Sequence, residues 1–103
     1  MAPLNIRFEW NPAKAESNFR KHGITFEEAT RVFLDENRIE EEDYTTNSEL
    51  RWQTLGISKA FVLLLVINTV KEGPTEVIRI ISARLAAPHE RRKYYGNRQL
   101  HNR

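Results

Sequence analysis

The chain has no cysteine, and only four glycines, four prolines and one methionine in 103 residues. Without a thiol there are no disulfide staples, no zinc–cysteine centre and no thiol nucleophile. Long apolar runs are missing as well. The longest, Ala60 to Ile67, has eight residues, against the roughly 18 that a membrane-spanning helix needs. Met1 to Arg7 holds no apolar stretch of secretory length, so a cytoplasmic location with no membrane contact is expected. The histidines His22, His89 and His101 are scattered, with no pair at a ligating spacing, and neither a metal nor another cofactor is expected. No glycine-rich phosphate loop or nucleophile elbow is present, which removes the commonest kinase and hydrolase readings.

What is present is charge, unevenly placed. The net charge of +2 is the remainder of two opposed blocks. Between Asp35 and Glu49 there are seven acids against Arg38 alone, and between Val77 and Arg103 seven bases against Glu90 alone. A basic block of this size points to an anionic partner, nucleic acid first, or to a solvated helix that keeps the protein soluble.

The length suits one core. Ile6 to Trp10 reads as a short edge strand. Asn11-Pro12 opens a helix that His22-Gly23 closes. Thr25-Phe26-Glu27-Glu28 is a capping box for a second helix, whose apolar face is Phe26, Ala29, Val32 and Phe33. Arg38 to Asp43 is an exposed strand or loop. Strands are expected at Leu50–Ile57 (turning at Gly56), Phe61–Ile67 and Val77–Ala83, with Asn68–Thr75 as a turn; connections this short make the three an antiparallel meander. Pro88 opens a last helix that Gly96 ends, leaving a frayed tail over 97–103. The expected fold is α+β: two N-terminal helices and a C-terminal helix on one antiparallel sheet of about four strands, the first helices covering one face.

Candidate chemistry gathers in Arg79-Ile80-Ile81-Ser82-Ala83-Arg84 and His89-Glu90-Arg91-Arg92-Lys93-Tyr94-Tyr95. Cleaving RNA by attack of its own 2′-OH needs a base, cations for the phosphorane charge and an acid for the leaving oxygen. Arginine supplies bidentate phosphate contacts, and Glu, His, Tyr or Lys can move protons. Each residue also has a plainer explanation. Arg79 can salt-bridge an acid on an open sheet face, Arg84 can flank a turn, and Glu90 with Tyr94 can be a surface pair on a helix. Strand alternation puts Arg79 and Arg84 on opposite faces unless the chain bends between them.

Phe8-Glu9-Trp10-Asn11-Pro12-Ala13-Lys14, Asn18, Lys21-His22-Gly23-Ile24 and Phe26-Glu27-Glu28-Ala29 with Val32-Phe33 resemble the opening of the BrnT family of bacterial toxins. Glu49-Leu50-Arg51, Leu55-Gly56, Ile78 to Arg84, Glu90-Arg91-Arg92 and Tyr94 resemble its second half. The resemblance implies one RelE-like domain over 1–103. It also implies a metal-independent endoribonuclease that inhibits translation and is neutralised by a BrnA-like ribbon-helix-helix antitoxin, through which alone it reaches operator DNA. By that resemblance Arg79, Arg84, Arg91 and Tyr94 fall on the family's motif positions and Arg51 on its middle strand; joined with the chemistry of the residues themselves, the catalytic candidates are Arg84, Arg79, Glu90 (or His89) and Tyr94. The RNA-binding candidates are Arg51, Arg91, Arg92 and Lys93. Tyr95 stands where the family often carries a carboxylate, and Ser58 to Phe61 lacks its usual Gly-Arg. The alternative is a non-catalytic protein that binds an antitoxin-like repressor and acts in transcriptional autoregulation. Partner binding predicts an exposed apolar groove beside the C-terminal helix.

Overall fold

Asn11 ends an extended segment and starts a helix in one step. Its side-chain oxygen accepts from the N–H groups of Ala13 (2.9 Å) and Lys14 (3.1 Å), two of the donors a helix start leaves open. This is the junction of β1 (Ile6–Glu9) and α1 (Pro12–His22) in a computed structural model that describes residues 5–43, 50–59 and 61–101, with the backbone alone for 97–101. Glu49 of the acidic block and residues 102–103 of the expected frayed tail lie outside the described residues. Gly23, at φ 72°, closes α1 in the left-handed conformation that glycine adopts without strain. Thr25 caps α2 (Phe26–Thr30) by accepting from Glu28 N–H at 3.0 Å, the Thr25 half of the expected capping box. Helical pitch then tightens into a 3₁₀ turn, Arg31–Leu34.

Four further strands follow, β2 (Ile39–Asp43), β3 (Arg51–Ile57), β4 (Leu63–Lys71) and β5 (Glu76–Leu85), and then α3 (Pro88–His101). The sheet has five strands, not about four, in the order β1-β5-β4-β3-β2, and it is mixed: β1 runs parallel to β5 while all other pairs are antiparallel. The parallel pair follows from the route of the chain. After β1, the N-terminal helices cross one face and deliver the chain to β2 at the far edge. The last strand of the β2-to-β5 meander then lies beside β1. Asn18 on α1 secures the edge of β5 that β1 does not reach. It donates to Ala83 C=O (2.9 Å) and Ile24 C=O (3.2 Å) and accepts from Ala83 N–H (3.1 Å), so this buried amide is satisfied.

Three other expectations are corrected. β4 continues past Ile67 to Lys71, because Asn68, a poor strand former, is buried and its side-chain oxygen accepts from the Thr54 hydroxyl at 2.8 Å across the ladder. The turn shrinks to residues 72–75. Gly56 is no turn but a buried position within β3; a Cβ there would lie 2.9 Å from Val32 Cγ1, so glycine lets the 3₁₀ turn approach the strand. Nor does Gly96 end α3, which runs on to His101.

Helices cover both faces of the sheet. On one, Ile24, Phe26, Ala29 and Val32 pack on Leu64, Val66, Ile80 and Ala83. On the other, Tyr94 of α3 packs with Leu55, Leu63 and Leu65. The two layers cover the half of the sheet around the β3–β4 connection; on the other half a groove opens beside Phe33 on one face and a cleft at Arg51 and Arg79 on the other.

Candidate functional site

Cross-strand partners in a sheet share a face, and residues two apart on one strand share it too. On β4, Leu65, Ile67 and Thr69 therefore point the same way. Their partners on β5 are Arg84, Ser82 and Arg79. The pairing slips between Ile67 and Asn68, leaving Ile81 as the extra residue of a bulge. The bulge brings Arg79 and Arg84 to one face, the face that carries α3. The bend on which their cooperation depends is present. The two arginines stand four β4 residues apart, roughly 13 Å along the strand at about 3.3 Å per residue.

The same register assembles a row of charge. Glu9 pairs with Arg79, Arg79 with Thr69, and Arg51 with Asp43; since Trp52 is opposite Asn68, the preceding Arg51 stands opposite Thr69. Across five strands the row reads Asp43, Arg51, Thr69, Arg79, Glu9. Arg79 Nη1 donates to Glu9 Oε2 at 3.2 Å, with both side chains nearly half exposed. Two residues further along the strands, Arg7 and Lys71 both pair with Val77 and present two more cations on this face. Arg51, Thr69 and Arg79 line a cleft of about 160 Å³ that Asn11 and Lys14 of the α1 start complete. The sequence reading missed Thr69 and Lys71 because it placed both in a turn.

Arg84 lies at the α3 end of the face, half-buried. Its Nη1 and Nη2 donate to Glu90 Oε1 and Oε2, both at 2.9 Å, and Nη1 also donates to Leu85 C=O at 3.1 Å. Glu90 occupies the third position of α3, where its Oε1 accepts from Ala87 N–H at 2.8 Å, as a helix start favours. Burial pushes the Glu90 carboxyl up. The Arg84 hydrogen bonds, the Ala87 N–H and the charges of Arg84 and His89 outweigh it and hold the group below the usual carboxylate range. His89, exposed, has its Nε2 3.9 Å from Glu90 Oε2.

The remaining predicted residues do not join this row. Tyr94 is 1% exposed, and its hydroxyl donates to Asp35 Oδ2 at 2.5 Å. That oxygen also accepts from Ile57 N–H at 2.8 Å, which puts the phenol at the end of β3 opposite Arg51. Arg91 lies over the Tyr95 ring, 5.6 Å from its centroid, and Lys93 pairs with Glu41 of β2. Arg92 is exposed between them. Successive helix residues diverge by about 100°, so the three α3 bases form no single patch. Among the described residues, the apolar groove of about 470 Å³ lies on the face opposite α3 and not beside it as expected. A pocket of about 30 Å³ lies under Lys93 and Glu90. Among the described residues, no three His, Cys, Asp or Glu side chains converge as a metal site would require, and no helix is long and apolar enough to cross a membrane.

A family model described as the ribonuclease toxin BrnT of type II toxin-antitoxin systems matches residues 10–90. The chain belongs to the BrnT family. The toxin role, the type II system and the ribonuclease character of the family come with that membership. The crystal structure at 1.1 Å of the Brucella abortus ribonuclease toxin BrnT is similar to this BrnT-family chain with a TM-score of 0.57 at 22% identity, covering 82% of this chain and 99% of that one. At that identity the likeness bears on the fold alone. None of the individually curated proteins matches significantly.

Proposed function

We propose that this BrnT-family chain is a RelE-like, metal-independent endoribonuclease of one domain that works in the cytoplasm, inhibits translation, and is neutralised by a cognate BrnA-like ribbon-helix-helix antitoxin that alone contacts operator DNA. The observation that carries the reading is the β5 bulge, which turns Arg79 and Arg84 to the face that holds Arg51. On the open half of that face Arg7, Arg51, Lys71 and Arg79 outnumber Glu9 and Asp43, a balance that suits the phosphates of a single RNA strand. In this scheme Arg51 and Arg79 grip the backbone and Arg84 stabilises the charge that develops on the scissile phosphate. A guanidinium with a pKa above about 12 makes no useful base.

The proton acceptor in this reading is Glu90. At neutral pH it is an ionised carboxylate held by Arg84. A phosphate that draws Arg84 to itself loosens that pair, and the freed carboxylate gains proton affinity next to the 2′-OH it serves. The leaving 5′-oxygen takes its proton from solvent water on the exposed side where His89 stands, and Glu90 returns the 2′-OH proton to solvent there. Tyr94, its proton committed to Asp35, is assigned a positioning role: it fixes α3 and so the place of Glu90.

Induction of the chain in bacteria tests the proposal. Growth should arrest, should recover when the adjacent open reading frame is co-expressed, and should not arrest with soluble Arg84→Ala. Arrest by Arg84→Ala equal to that by the wild type would overturn the assignment.

A further inference from the structure

The two faces of the open half differ in charge. One carries Arg7, Arg51, Lys71 and Arg79 against Glu9 and Asp43, and the other carries an apolar floor with an acidic rim. Trp52, Leu50, Val70 and Ile78, with Phe33 from the 3₁₀ turn, line a groove of about 470 Å³. Leu50 and Val70 are 43% and 37% exposed there, as is Ile6 at 46%. Glu40, Glu72 and Glu76 stand on the rim. Among the described residues its one base, Arg38, is already held by Glu40 at 2.8 Å and by Asp35 C=O at 3.2 Å.

This combination selects its occupant. A nucleic-acid strand is repelled by the rim, and an apolar small molecule leaves the carboxylates unanswered. Floor and rim are both matched by a polypeptide segment whose apolar side chains are flanked by Lys or Arg. We propose that the groove docks a basic amphipathic segment of a protein partner. The inference rests on the reading that the chain works with a protein partner, and it places that partner's segment on the face away from the arginines.

The test uses the full chain and a fluorescein-labelled amphipathic peptide of leucine and lysine, with a leucine–glutamate peptide as its counterpart, read by anisotropy. The lysine peptide should bind and the glutamate peptide should not. Glu72→Lys with Glu76→Lys should weaken binding at least tenfold. Glu16→Lys with Glu27→Lys, the same change of net charge on the exposed surface of α1 and α2, should leave it within threefold. Equal losses in the two double variants, or equal binding of the two peptides, overturn the proposal. Self-association of the chain in sedimentation that Glu72→Lys with Glu76→Lys abolishes overturns it in favour of a second copy. Should the groove variant not fold, Trp52→Phe decides. Peptide binding should shift the tryptophan emission of the wild type, and Trp52→Phe, which keeps Trp10, should remove most of the shift; an unchanged shift overturns the proposal. RNA cleavage by the same wild-type preparation separates the two readings, since its absence leaves the peptide result standing.

Discussion

Replacing Glu90 by glutamine separates the structural from the chemical side of the Arg84 pair. The wild-type carboxylate accepts two bonds of 2.9 Å from Arg84 and one of 2.8 Å from Ala87 N–H. Glutamine keeps an oxygen for Ala87 but loses the charge and one of the Arg84 bonds. Hydrogen bonds to charged groups are worth about 1.5–3 kcal/mol, and with Glu90 11% but Arg84 39% exposed, solvent screening takes the expected loss to about 1–2 kcal/mol. In a chain of this size that lowers Tm by about 5–15 °C. The sign with pH follows from linkage. Folding lowers the Glu90 pKa, so its contribution is complete above the unfolded value of about 4.3 and fades as pH falls through the folded one. Urea unfolding from pH 7 to pH 3 should therefore show wild type losing stability below about pH 4.5 more steeply than Glu90→Gln. RNA binding should tighten by about threefold to tenfold as Arg84 loses its internal competitor, while cleavage of bound RNA slows by about 100-fold if Glu90 takes the proton. Wild-type stability and pH slope in Glu90→Gln would refute the pair, and weaker RNA binding would refute the competition.

Three other variants give sharp outcomes. Tyr94→Phe removes the donor to Asp35 and should cost about 1–2 kcal/mol in urea unfolding, with cleavage per folded molecule within threefold of wild type; a 100-fold loss of cleavage at unchanged stability would restore Tyr94 to proton transfer. Gly56→Ala sets a methyl group against Val32 at 2.9 Å and should destabilise by about 1–3 kcal/mol in the same assay. Gly96→Ala meets no atom within 4 Å and should stabilise by about 0.5–1 kcal/mol, because α3 continues through it; a helix that ended there would gain nothing.

Local chemistry was the legible part of the fold. Asn11, Gly23 and Thr25 act on their own neighbours, and the caps they imply are the caps observed. Long-range pairing was less visible. Asn68 and Thr69 look like the start of a turn until Thr54 and Arg79 are set beside them, and both of those partners are distant in sequence. Gly56 punctuates a strand in the same way whether it turns the chain or admits Val32. At the site, the arginines were readable as residues but their common face was not, because a bulge is a property of two strands at once. The run Arg91-Arg92-Lys93 shows the reverse relation between sequence and space. Adjacent in sequence, it reads as one patch, and the helix spreads it in three directions.

Cleavage of RNA by the purified chain in EDTA, beside Arg84→Ala and Arg51→Ala with Arg79→Ala, decides whether the arginine face is catalytic. Metal-independent cleavage that leaves 2′,3′-cyclic phosphate ends is the expected result. Arg84→Ala should lower the rate by about 100- to 1,000-fold, in line with the loss of one preorganised charge-stabilising group. Arg51→Ala with Arg79→Ala should chiefly weaken RNA binding and flatten its salt dependence. An intact wild type that leaves RNA uncut, or equal cleavage by wild type and Arg84→Ala, would contradict a catalytic role for that face.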